Sequence, residues 1–244
     1  IDNGLREIHA LAAEVLAGRE PAFAATSGTL NHINMLSEFA DHVVKFIASD
    51  KLRKLRIVAD TANGMGGLVV PAVFERLADF ELEVMYGELD GTFPNHPADP
   101  LQTANQRDLM ARVLAGGFDV GLAFDGDADR VFLVDELGQG MSGSTTTALL
   151  ATRFLRLNPG ATILYNLICS RAVPEIIAEH GGKGIRTKNG HSYMKQIMAE
   201  TGAVLFDWLG AGSKVQRSPN RSSGARREER EDGRADGAGM DGNS

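Results

Sequence analysis

From Leu55 to Gly202 the chain alternates short strand-like apolar runs with segments of helical period, and this alternation limits the possible folds more than any other feature. LRIVAD (55–60), ELEVMY (81–86), DVGLAF (119–124) and VFLVDE (131–136) read as strands; GGLVVPAVFERLA (66–78), TANQRDLMARVLAG (103–116) and SGSTTTALLATRFLRL (142–157) read as helices. The cycle restarts at TILYNLI (162–168), RAVPEIIAEHG (171–181), GIRTK (184–188) and HSYMKQIMAETG (191–202). Strands that alternate with helices pair in parallel, and a parallel sheet needs cover on both faces, so the expected class is α/β. Asn158-Pro159-Gly160 is the expected boundary between two such units. Ahead of them, apolar residues at helical spacing predict helices over 2–17 and about 34–48, joined by a connection rich in Gly, Pro and small polar residues.

At 244 residues, 43% hydrophobic and 23% charged, the chain has the composition of a soluble globular protein of one large or two ordinary domains. A net charge of −7 argues against nonspecific nucleic-acid binding. A membrane span needs about 18 consecutive apolar residues, and the sequence has no such run. Cys169 is the single cysteine, which excludes an intrachain disulfide and suits a reducing cytoplasm; no signal-peptide pattern opens the sequence. Residues 217–244 hold no aromatic or β-branched residue, too little apolar surface to offset the entropy of ordering, and are expected to be disordered.

The chemistry concentrates in VGLAFDGDADRVFLVDE (120–136), where Asp125, Asp127 and Asp129 alternate between two apolar runs and Arg130 follows directly. Two carboxylates about 5 Å apart repel by roughly 3 kcal/mol at an effective dielectric near 20, so a cation, a proton or bulk water must offset the charge. An EF-hand count from Asp125 reaches Asp127, Asp129 and Glu136, but Arg130 stands where the loop needs Gly, and the flanks read as strands instead of helices. A solvated polar turn is the plain alternative. A hard divalent cation, magnesium with a phosphate partner, fits three oxygens in a loop after a buried strand better, with Arg130 able to hold the phosphate.

Two further stretches carry glycines or cations at strand ends. VADTANGMGG (58–67) is only a near-match to a dinucleotide fingerprint, since Val69 stands where the third glycine belongs; a tight strand–helix turn with close packing is expected there, without NAD. RTKNGHSYMK (186–195) brings Arg186, Lys188, His191 and Lys195 to the start of a helix, where backbone N–H groups favour an anion; an ordinary turn with surface cations would read the same. His9, His32, His42 and His180 lie in or beside helices and are expected to be structural or surface residues.

Taken together, VADTANGMGG, LDGTFPNHPADPL, AFDGDADRVFLVDE, NLICSRAVPEII and RTKNGHSYMKQIMAETGA, in this order, resemble the α-D-phosphohexomutases of the phosphomannomutase/phosphoglucomutase branch over about residues 1–204. The resemblance implies three-layer α/β/α domains: the tail of a first domain in 1–50, a complete second domain in 51–157, part of a third in 158–204, and a tail outside the family in 205–244. It implies a phosphoserine enzyme that moves phosphate between the 1- and 6-positions of a mannose or glucose phosphate through a 1,6-bisphosphate. Asp125, Asp127 and Asp129 would bind Mg²⁺ and Arg130 would contact the phosphoserine. Lys188, Asn189, Gly190 and His191 would form the substrate loop, with Lys188 and His191 catalytic, and Arg171 would face the substrate. The family's serine loop is not found; TSGTLNH (26–32) only echoes it, so Ser27 is not expected to be the nucleophile. After Ala203 the sequence departs from the family's sugar-binding loop, as a frameshift in a GC-rich gene would produce. The chain alone is therefore expected not to turn over.

Overall fold

The computed structural model describes residues 4–20, 26–47, 53–188, 190–208 and 212–215. Two compact units emerge, Ile1–Ser37 and Glu38–Ser244. In the first, α1 (Leu5–Leu16) realises the predicted amphipathic helix, yet none of its residues is buried; Leu5, Ile8, Leu11 and Val15 all stay exposed. Helix α2 (Leu36–Val44) begins at the end of that unit and runs into the next, where Ala40 is fully buried and Asp41 pairs with Arg76.

The larger unit contains two four-stranded sheets of the same topology. Strands β1 (Leu55–Asp60), β2 (Phe80–Met85) and β3 (Val120–Phe124) are parallel, and β4 (Val131–Val134) returns antiparallel, in the order β2-β1-β3-β4. Helix α3 (Gly66–Phe74) links β1 to β2, and a short 3₁₀ turn followed by α4 (Arg107–Gly116) links β2 to β3. The last four residues of β1 are buried, as a central parallel strand covered on both faces requires. Leu109 and Val113 of α4 close one face against Val58, Ala123, Phe132 and Val134. The fit is tight: a Cβ on Gly121 of β3 would lie 2.9 Å from Val113 and 3.1 Å from Leu109.

The second sheet repeats the plan as β6-β5-β7-β8, from β5 (Thr162–Asn166), β6 (Lys183–Thr187), β7 (Leu205–Trp208) and the antiparallel β8 (Gly212–Val215). Helices α6 (Ala172–Glu179) and α7 (His191–Thr201) make the crossovers.

Two expectations about organisation change. Helix α5 (Gly143–Leu157) was expected to close the first α/β domain at residue 157; instead its Ala151 and Leu155 pack with Ile163, Val173, Ile177 and Leu205, so it opens the second core. The physical reason lies in its buried stripe of Thr147, Ala151 and Leu155, which meets α6 and the second sheet, while Ser142 caps its N-terminus by accepting from Thr145 N. The tail expected from residue 205 also begins too early, because β7 pairs with β5 at Ile163↔Leu205 and β8 pairs with β7. Residues 217–244 lie outside the described residues. Among the described residues no helix is long and apolar enough to cross a membrane.

The predicted lengths were too generous at most ends. The helix read over 66–78 stops at Phe74, and the strand read over 131–136 stops at Val134, where Asp135 accepts from Leu137 N and Gln139 N in a turn. Between β2 and α4, Arg112 Nε and Nη2 each donate to a Glu83 carboxylate oxygen at 2.6 Å, holding that carboxyl below its ordinary range. A lowered carboxyl stabilises the fold above the usual glutamate value of 4.5 and loses that contribution as pH falls through its folded value. Glu83→Gln is thus expected to flatten the acid limb of an unfolding profile measured by circular dichroism through a loss of stability at pH 7 that vanishes at low pH, a small loss because the pair is half-exposed.

Candidate metal centre

The strand order places the site. From β1 the chain crosses to β2 on one side and then to β3 on the other, so the loops after β1 and β3 leave the sheet side by side where the order reverses. In open α/β sheets that crevice is where ligands bind. The loop after β3, residues 125–130, carries the three aspartates, and its flanks are the strands β3 and β4, which excludes an EF-hand's helix–loop–helix.

Asp125 is fully buried at the end of β3, whereas Asp127 and Asp129 are exposed, and one carboxylate oxygen from each comes within 4.8 Å of the others. The loop is shaped from inside. Asp125 Oδ1 accepts from Arg130 N at 3.0 Å, Asp125 Oδ2 accepts from Arg130 Nε at 2.5 Å, and Ala128 N donates to the Asp125 carbonyl at 3.1 Å. Burial pushes the Asp125 carboxyl above its ordinary range, against the opposing pull of Arg130. Arg130 also reaches Asp129 at 3.5 Å, so its guanidinium spans two of the three acidic groups. An all-oxygen donor set of one buried and two exposed carboxylates suits a hard divalent cation such as Mg²⁺, with room left for water or substrate oxygens.

The glycine-rich turn behaves as a packing device. A Cβ on Gly64 would stand 2.6 Å from Gly126 O, and one on Gly67 would stand 2.1 Å from Gly87 O, so the β1–α3 turn touches backbone on both sides. Met65 N donates to Gly126 O at 2.9 Å, which ties the turn to the acidic loop itself.

The remaining candidates belong to the second sheet. Arg171 lies after β5 at the N-terminus of α6, is 93% exposed and pairs with Glu175 at 3.2 Å. Lys188 is exposed just beyond β6, Gly190 starts α7 with φ 141°, and His191 is the first residue of that helix. Asn189 and the side chain of His191 lie outside the described residues. Arg171 and the Lys188–His191 segment thus follow neighbouring parallel strands, while the aspartates and Arg130 form a separate group on the first sheet. Not evident in the sequence were Asp60, Asn63 and His96, which join the turn after β1 to residues 95–96: His96 Nε2 lies 2.9 Å from Asp60 Oδ2, and Asn95 Nδ2 donates to Asn63 Oδ1 at 2.7 Å. Only their positions, at a strand end and within a Gly/Pro-rich stretch, could have flagged them.

Residues 37–138 match the phosphoglucomutase/phosphomannomutase alpha/beta/alpha domain II family, and residues 142–206 match domain III of the same enzymes. The break between them falls just ahead of α5, in agreement with the packing of that helix. The chain is 38% identical over 178 residues to a phosphomannomutase/phosphoglucomutase of Pseudomonas syringae pv. tomato, covering 73% of this chain and 38% of the relative. Against a phosphomannomutase of Salmonella montevideo, identity is 34% over 208 residues, covering 83% and 45%. Among solved structures, a phosphoglucomutase/phosphomannomutase family protein from Burkholderia thailandensis superposes with a TM-score of 0.73 at 29% identity, covering 86% of this chain and 45% of that one. The chain spans less than half the length of these relatives. With both α/β units matched in order, the chain belongs to the phosphoglucomutase/phosphomannomutase family.

Proposed function

We propose that this chain supplies the cation-binding loop and part of the substrate-binding surface of a phosphohexomutase, which moves phosphate between the 1- and 6-positions of a hexose through a phosphoserine and a 1,6-bisphosphate. The observation that carries it is the convergence of Asp125, Asp127 and Asp129 at the end of β3 with Arg130 beside them. These three carboxylates would hold Mg²⁺, which supplies charge neutralisation for a transferring phosphoryl group.

The protein's own residues prepare the site in distinct ways. Asp125, locked by two hydrogen bonds from Arg130, fixes one oxygen in place before any ligand arrives. Asp127 and Asp129 offer exposed oxygens that can turn toward the cation. Arg130 has five N–H donors, of which Nε faces Asp125, leaving its outer edge suited to phosphate oxygens. Lys188, with Asn189, Gly190 and His191, would bind a substrate phosphate at the start of α7, His191 acting as acid or base, and Arg171 would add a second cation. Mannose and glucose phosphates are the expected substrates, in a cytoplasmic setting.

In the proposed chemistry a phosphoserine donates the phosphoryl group, and TSGTLNH (26–32) is not expected to supply it. In a coupled assay for glucose 6-phosphate from glucose 1-phosphate, the chain alone is expected to be silent. Mixed with the serine-bearing fragment of a relative, it should give turnover that Asp127→Ala abolishes. Turnover unaffected by Asp127→Ala would overturn the reading, and silence of the mixture with Mg²⁺ uptake intact would favour a noncatalytic cation-binding module.

A further inference from the structure

Five non-glycine residues adopt a left-handed backbone among the described residues: Ala62 (φ 48°), Asn63 (φ 61°), Tyr86 (φ 55°), Phe93 (φ 50°) and Ala128 (φ 58°). All five fall at one place. Ala128 is in the acidic loop; Ala62 and Asn63 are in the turn after β1; Tyr86 directly follows β2; and Phe93 is in the following loop. Strained backbone persists only where surrounding structure fixes it, and its clustering points to a geometry that is being held.

The fixing contacts converge on Gly126, between Asp125 and Asp127. From one side the turn after β1 donates Met65 N–H to Gly126 O. From the other, Phe93 and Ala98 press on Gly126, where a Cβ would lie 3.3 Å and 3.5 Å from their side chains. Asp60 joins the two sides. Its Oδ1 accepts from Ala62 N at 2.9 Å, fastening the turn, while its Oδ2 lies 2.9 Å from His96 Nε2, fastening the loop. The Asp60 side chain is only 2% exposed and that of His96 15%. His96 Nδ1 lies 3.0 Å from Pro97 O, so the ring is oriented by its own loop. The ring packs edge-on against Tyr86, and Asn95 Nδ2 donates to Asn63 Oδ1 at 2.7 Å as a second strap.

We propose that His96 is a positioning residue for the acidic loop: through Asp60 it locks residues 90–98 and the turn at 61–65 against Gly126, and so sets the separation of Asp125, Asp127 and Asp129. This rests on the reading of the aspartates as a cation site. Groups that orient a ligand from behind typically change metal affinity about 10–100-fold when removed.

The test uses the intact chain and two readouts. Hydrogen exchange without metal follows the amides of Met65, Ala128 and Arg130, whose N–H groups are the bonds of the clamp and loop. Calorimetry follows Mg²⁺ uptake. His96→Ala is expected to speed exchange at those three amides at least about 10-fold and weaken Mg²⁺ binding about 10–100-fold, with Val58 and Leu122 still protected. His96→Gln, which can again donate to Asp60, should recover most of both. Asn95→Ala, which cuts the second strap alone, should shift both readouts in the same direction and serves if His96→Ala does not fold. Unchanged exchange and unchanged Mg²⁺ affinity in these variants would overturn the proposal. Absence of Mg²⁺ uptake by the wild-type chain would instead sink the cation site, and exchange would then judge the clamp by itself.

Discussion

Leu109→Ala is expected to destabilise the first α/β core by about 2–5 kcal/mol, enough to unfold it at moderate temperature. Leu109 has no exposed surface and lies in a cluster with Val58, Val113, Phe118, Ala123, Phe132 and Val134. The cavity cannot collapse readily, because α4 is already seated on the bare backbone of Gly121 and has no side chain beneath it to move aside. The second sheet has its own core, formed by Ala151, Leu155, Ile163, Val173, Ile177 and Leu205, with Leu164, Met194 and Met198 on its other side. Hydrogen exchange should therefore show lost protection in β1, β3 and β4 while β5 keeps its own; equal loss in both sheets would show that the two cores unfold as one.

The second large effect separates the aspartates from one another. Asp127→Ala is expected to abolish cation uptake without lowering the stability of the metal-free protein, since Asp127 is exposed and its removal relieves repulsion from its neighbours. Asp125→Ala is expected to abolish uptake and also to cost about 2 kcal/mol, because it strips Arg130 Nε and Arg130 N of their acceptor. Urea unfolding in chelator checks the contrast. Equal stability loss in both variants would mean that the three groups share one structural role and none is specialised for a ligand.

Much of this was legible in the sequence because the signals were local. Alternating strand and helix periods gave every element from β1 to α7 at the right place, with errors confined to ends, where turns such as the one at Asp135 finish a strand before its apolar pattern does. The aspartates were legible since they sit within five residues of one another, at spacing that forces proximity. What could not be read was non-local. Asp60 and His96 are 36 positions apart, and no periodicity joins them. Helix α5 was assigned to the wrong core because an amphipathic stripe shows that a face is buried but not against which sheet. Strands β7 and β8 could not be read because the sequence departs from the family's pattern after Ala203, and their pairing with β5 and with each other is non-local.

Cation binding by the acidic loop after β3 is the property on which the proposed chemistry depends. Calorimetric titration of the intact chain with Mg²⁺, beside the same titration of Asp127→Ala, tests it most directly. Saturable one-site uptake by the wild-type chain and none by the variant is expected. No uptake by a folded wild-type chain, or equal uptake by both, would contradict it.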